Sequence, residues 1–169
     1  MDIFMRKRIL KLVLAAILLS VMPTVAQDES VVTLAGNAYV TATSEGADSK
    51  NVFIDEQNCA LRNWDSKEDM VSFYFKAEKS GKMNVALQAK GHSRIEVSIL
   101  GKKKKVKLDS DELSRVELGT FKVKVPGYVK MDVRGLKIDN GADFGNVSAV
   151  LVGGDVAPVV CVAPDFSTH

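Results

Sequence analysis

Four side chains in this sequence have the chemistry to hold a sugar: Tyr39, Trp64, Tyr74 and Tyr128. A flat ring stacks on the apolar face of a pyranose while polar neighbours bond its hydroxyl edge. Tyr74 stands between Phe73 and Phe75, so on an extended strand it projects away from the face those two bury. Trp64 lies in a loop before that strand, where packing into the body of the domain and contact with a ligand both remain open. Trp64, Tyr74 and Tyr128 are the candidate ligand-binding residues.

Other chemistries find less support. His92 adjoins Ser93, and adjacent side chains on a strand point to opposite faces, so the pair cannot converge as base and nucleophile. No G-x-S-x-G or H-E-x-x-H motif is present. Asp55, Glu56, Asp65, Glu68, Asp69 and Asp143 fall in or beside expected loops, but no spacing singles out the facing pair a glycosidase needs. No catalytic residue is assigned. Asp139-Asn140-Gly141-Ala142-Asp143 offers oxygen ligands around a tight turn, which suits a hard cation such as a structural calcium through Asp139 and Asp143. A turn satisfied by its own backbone is the stronger reading of the same residues. Cys59 and Cys161 allow one disulfide, provided their Cα atoms come within about 4.4–6.8 Å; Cys59 could equally be a buried thiol.

The elements that must position these residues are strands. Ile95, Val97 and Ile99 alternate with polar residues, as do Val71, Phe73 and Phe75, and Met83, Val85 and Leu87. Phe121, Val123 and Val125 follow, then Tyr128 or Val129 with Met131 and Val133, and a denser apolar run over 146–152. Period-two patterning over short runs, cut by Lys79-Ser80-Gly81, Leu100-Gly101-Lys102, Val125-Pro126-Gly127 and Asp139-Asn140-Gly141, predicts an all-β antiparallel sandwich of about ten strands. Asp109–Leu113 is expected as a helical turn or loop, and 45–51 as a loop.

Several stretches carry a resemblance. Leu34-Ala-Gly-Asn-Ala-Tyr39, Asn63-Trp64, Met70-Val-Ser-Phe-Tyr-Phe75, Gly119-Thr-Phe121, Gly127-Tyr-Val-Lys-Met-Asp132 and Gly135 together resemble a jelly-roll domain of unknown function of exported bacterial proteins. That likeness spans about Val31 to Gly154, and it implies a second, larger domain downstream that this chain does not include. More distantly the layout is similar to galactose-binding-like carbohydrate-binding modules, some of which hold a structural calcium.

The N-terminus reads as a leader. Arg6, Lys7, Arg8 and Lys11 precede the apolar run Leu12–Leu19, and Thr24-Val25-Ala26 supplies small residues for cleavage. The run is too short for a membrane span, which needs about 20 apolar residues. The expected organisation is a signal peptide over 1–26, a β-sandwich over 27–155, and a C-terminal tail over 156–169 as the start of a linker to a missing domain. The +2 net charge of the chain comes from the leader, since acids and bases nearly balance after it. That balance, with export to the periplasm or beyond, argues against nucleic acid, and cleavage leaves no membrane attachment. The reading that follows is a non-catalytic binding module for a glycan or polysaccharide. The alternative is a protein-interaction or envelope-assembly domain, with a glycan-acting enzyme third. Lys102–Lys105 is read as edge protection first and as a contact for an anionic partner second.

Overall fold

The computed structural model describes residues 29–33, 38–42, 52–157 and 159–161; the leader lies outside them. Ten strands are present among these residues and no helix. They are β1 (Glu29–Thr33), β2 (Ala38–Ala42), β3 (Phe53–Asp55), β4 (Ala60–Arg62), β5 (Met70–Ala77), β6 (Gly81–Ile99), β7 (Lys102–Val123), β8 (Gly127–Asn140), β9 (Asn146–Gly154) and β10 (Val160–Cys161).

β6 and β7 are long enough to serve two layers. The first half of β6, Met83–Lys90, pairs with β9, and the second half, His92–Ile99, pairs with β8. β7 follows β6 along both halves, with register shifts at Val85/Ala86 and Ala89/Gly91. Bulges re-aim a strand, and here they turn one hydrogen-bonded ladder into two stacked sheets. The first runs β1-β9-β6-β7. The second runs β7-β6-β8-β5, with β2 and β10 sharing the outer edge of β5. The corner requires close backbone approach: a Cβ on Gly145, whose φ is +102°, would lie 2.1 Å from the Lys90 carbonyl oxygen. Glycine alone fits there.

The alternation seen in the sequence sorts side chains between core and solvent. Val71, Phe73, Phe75, Ile95, Val97, Met131 and Val133 of the second sheet meet Met83, Val85, Leu87, Val147, Val150 and Val152 of the first in one buried cluster. Burying side chains of this size stabilises the fold by about 1.5–3 kcal/mol each before entropy is counted.

Three expectations need correction. Asp109–Leu113 is not a turn between two elements but lies within β7: Asp109 and Ser110 pair with His92 and Gly91, and 111–113 bulge from the ladder before Ser114 pairs with Ala89. Val125 is exposed rather than inward-facing, since β7 ends at Val123 and Pro126 interrupts the ladder. The sandwich also does not stop at 155: Val156, Ala157 and Val159 are buried, and β10 pairs with β5 through Val160 and Cys161.

Candidate functional site

β5 builds the site because its two faces differ. Phe73 and Phe75 are fully buried, so Ser72, Tyr74 and Lys76 face outward. On one side β2 pairs Tyr39 with Ser72, which sets Tyr39 diagonal to Tyr74. The two rings meet edge to face, centroids 5.4 Å apart and planes at 89°. On the other side β8 pairs Tyr128 with Lys76 and Lys130 with Tyr74. Three strands thus place three tyrosines around one surface groove of about 300 Å³, completed by Val40 and Thr41. Tyr128 is 73% exposed and Tyr39 36%, so their rings are available to a ligand.

A polar chain leads away from the groove across the sheet. The Thr41 and Ser72 hydroxyls lie 2.8 Å apart, Ser72 donates to Asp132, and Lys130 Nζ sits 3.0 Å from the same carboxylate. The hydrogen bond with Asp132 holds the Lys130 ammonium above its ordinary pKa, with Tyr74 adding to the effect. One strand further, Glu96 accepts from Arg134 Nη2 at 2.8 Å and lies 3.3 Å from Lys103 Nζ. Burial alone would raise the Glu96 pKa, but the Lys103 hydrogen bond and the Arg134 charge outweigh it and hold it low. Glu96, Arg134, Lys103, Asp132, Ser98 and Met70 line a second hollow of about 210 Å³. The face therefore joins stacking rings to fixed donors and acceptors, the two components that sugar recognition requires.

Of the sequence-predicted ligand residues, Tyr74 and Tyr128 meet here, joined by Tyr39. Trp64 does not. It is fully buried, its ring 5.4 Å from that of Phe144. The Phe144 N–H donates to the Trp64 carbonyl at 2.8 Å, and the Phe144 ring lies where a Cβ on Gly135 would be, 2.2 Å from the nearest carbon. The missing side chain at Gly135 makes the slot that Phe144 fills and Trp64 covers, so Trp64 packs and cannot stack on a ligand. Its Nε1 has no hydrogen-bond partner among the described residues.

Asp139 and Asp143 each meet groups of the protein itself. Asp139 faces Lys137 Nζ at 2.8 Å and Arg94 Nε at 3.4 Å, and the Lys137 hydrogen bond leads in keeping its pKa low. Asp143 instead accepts the Gly145 N–H at 2.9 Å. No group of three or more His, Cys, Asp or Glu side chains that could hold a metal forms among the described residues. Cys59 is a free thiol in the β3–β4 turn, at a φ of 46°, with its Sγ 3.9 Å from the Glu56 carbonyl oxygen. Cys161 pairs through its backbone with Phe75 on β5, and its side chain lies outside those described.

The sequence reading missed one cluster. His92 stands between two carboxylates, Nδ1 3.1 Å from Asp109 and Nε2 2.9 Å from Asp111. The hydrogen bond with Asp111, then that with Asp109, raises the His92 pKa. Asp109 and Asp111 have the i, i+2 spacing of one strand face, a signal obscured when the segment was read as a turn.

The chain is an antiparallel jelly-roll sandwich, similar in fold to carbohydrate-binding modules of family 35. It belongs to the family described as "Domain of unknown function (DUF5077)", whose model matches residues 32–157. A family 35 carbohydrate-binding module from an environmental isolate superimposes with a TM-score of 0.55 at 9% identity, covering 79% of this chain and 98% of that one. The CBM35 of Abf62 from Cellvibrio japonicus gives 0.51 at 14%, covering 79% and 97%. The GH26-CBM35 beta-(1,4)-mannanase of Podospora anserina gives 0.54 at 13%, covering 75% of this chain. This chain spans only 28% of that mannanase and 36% of a family two carbohydrate esterase from Cellvibrio japonicus. No curated protein matches the chain in sequence.

Proposed function

We propose that this chain is an exported, non-catalytic binding module that holds carbohydrate on the outer face of its second sheet. The observation that carries the reading is the groove of Tyr39, Tyr74 and Tyr128, open to solvent and continuous with the Thr41–Ser72–Asp132–Lys130 chain. Tyr128 and Tyr74 offer rings to sugar faces, Thr41 and Lys130 offer donors to hydroxyls, and Asp132 is an acceptor held in place by its neighbours. Asp132 and Glu96 are each committed to cationic partners, an arrangement suited to fixing hydroxyls rather than to proton transfer. The order of basic, apolar and small residues over 1–26 supports export to the periplasm or beyond. Affinity electrophoresis and calorimetry against neutral and acidic polysaccharides test the reading. Saturable binding, weakened at least about tenfold by Tyr128→Ala in folded protein, is expected. Failure of folded protein to bind any of them, or binding indifferent to both Tyr128→Ala and Tyr74→Ala, would refute it.

A further inference from the structure

We propose that the free edge of β7 pairs antiparallel with the same edge of a second copy, joining two sandwiches into a symmetric dimer. β7 is the edge strand of both sheets, and among the described residues it pairs with β6 alone, over Lys102–Ser110 and again from Ser114 onward. Such an edge is a template for another strand unless its side chains forbid it. Here they forbid most registers and favour one.

The segment is basic, then acidic: Lys102 to Lys105 and Lys107, followed by Asp109, Asp111 and Glu112. Over Lys102–Ser110 it runs in unbroken register with Ile99–Gly91 of β6, and the bulge comes only after Ser110. Antiparallel self-pairing centred on Leu108 sets Lys107 opposite Asp109 of the second copy within the regular stretch, and brings Lys105 and Lys104 toward its Asp111 and Glu112, which bulge from the ladder beyond Ser110. Two-fold symmetry repeats each pair, and no like charges face each other. This spacing also keeps opposed side chains on one face across the regular stretch, as an antiparallel ladder requires. Centring on Lys107 would oppose that lysine to itself, and centring on Lys104 would set lysines against lysines. The lysines that discourage indiscriminate pairing therefore select a single register, and specificity comes from the disfavoured alternatives as much as from the favoured one.

Lys104, Lys105 and Glu112 make no side-chain ion pair among the described residues, and the Asp111 side chain is 93% exposed. Lys107 lies 2.6 Å from Asp109 of its own chain and both aspartates meet His92, so the pairs between copies compete with these contacts. Leu108, at the centre, is buried in its own core, so the contact is mainly backbone and charge. Such an interface weakens with salt. It leaves the tyrosine groove untouched, since β2, β5 and β8 lie on the far side of β6 from β7. A dimer would present two such grooves.

Sedimentation of the full chain, at about 0.05 M and about 0.5 M ionic strength, tests the pairing. A dimer is expected at low salt, its dissociation constant rising at least about tenfold at high salt. Lys105→Glu with Lys107→Glu should give a monomer, as should Asp109→Lys with Asp111→Lys, while their equimolar mixture dimerises and the fourfold swap restores self-association. Circular dichroism checks that each variant folds, which matters for the second pair because both aspartates hold His92. Hydrogen exchange on the unaltered chain reads the same contact without substitution: amides within Lys102–Glu112 should gain protection as concentration rises. A chain that stays monomeric at low salt overturns the proposal. So does a dimer indifferent to the charge reversals, or one that adds no protection to these amides.

Discussion

Two aromatic clusters sit in this sandwich and do opposite work. Trp64 and Phe144 close an end of the core, both essentially without exposure, over a strand whose Gly135 makes room for them. Tyr39, Tyr74 and Tyr128 stand on the outer face of the second sheet, with Tyr128 largely in water. Size does not separate the clusters. What separates them is the neighbour each ring meets: a vacant Cβ position beneath Phe144, and short or charged side chains (Ser72, Lys76, Lys130) beside the tyrosines. A ring above an empty slot fills it, whereas a ring above a polar sheet surface waits for a partner.

The contrast breaks most readily at the core cluster. Trp64→Ala should lower stability by about 3–5 kcal/mol, the range for emptying an aromatic core site, as read from chemical denaturation. Trp64→Phe should cost distinctly less, because it also removes a buried Nε1–H that has no partner among the described residues. Equal losses in the two variants would mean that the indole N–H is satisfied after all. A smaller effect follows from filling the slot. Gly135→Ala drives a methyl into the Phe144 ring and should cost about 1–3 kcal/mol, an overpacking penalty that Phe144→Leu should partly relieve.

At the outer cluster the same measurement should show almost nothing. Tyr128→Ala should alter stability by no more than about 0.5 kcal/mol while removing most glycan binding, so the two clusters separate stability from recognition. A Tyr128 variant that unfolds as easily as Trp64→Ala would erase the distinction.

The smallest effect is expected at His92, which belongs to neither cluster. Its folded pKa is raised by Asp111 and then Asp109. Its contribution to stability is thus fully present below the unfolded value of about 6.5 and is lost as pH rises through the raised one. NMR titration should place the His92 pKa above that value and Asp111→Asn should lower it. His92→Gln should flatten the decline in stability across that window. An unshifted imidazole would show that the two carboxylates do not hold it in solution.

Much of this is legible in the sequence. The strands carrying Phe73, Val97 and Met131 announce themselves because alternation is a local property, written wherever one face is buried and the other wet. Tyr74 was assigned to the outer face for the same reason, and the family resemblance rested on glycines and aromatics that sit at real structural positions, Gly135 among them. Local pattern failed at Asp109–Leu113, where closely spaced polar residues imitate a turn. Residues 111–113 are exposed and bulge from the ladder, so no apolar alternation marks them as part of a strand.

The sequence by itself therefore determined the class of fold and which residues alternate inward, since backbone geometry and the hydrophobic effect act on neighbours along the chain. Tertiary structure alone decided which residues meet. That Trp64 is sealed by Phe144, that Asp139 meets Arg94, and that His92 is gripped by two aspartates all depend on which segments lie side by side. Register is set by the joint burial of every strand at once. No single segment carries that information, so three tyrosines from positions 39, 74 and 128 share a groove only once the sheet has formed.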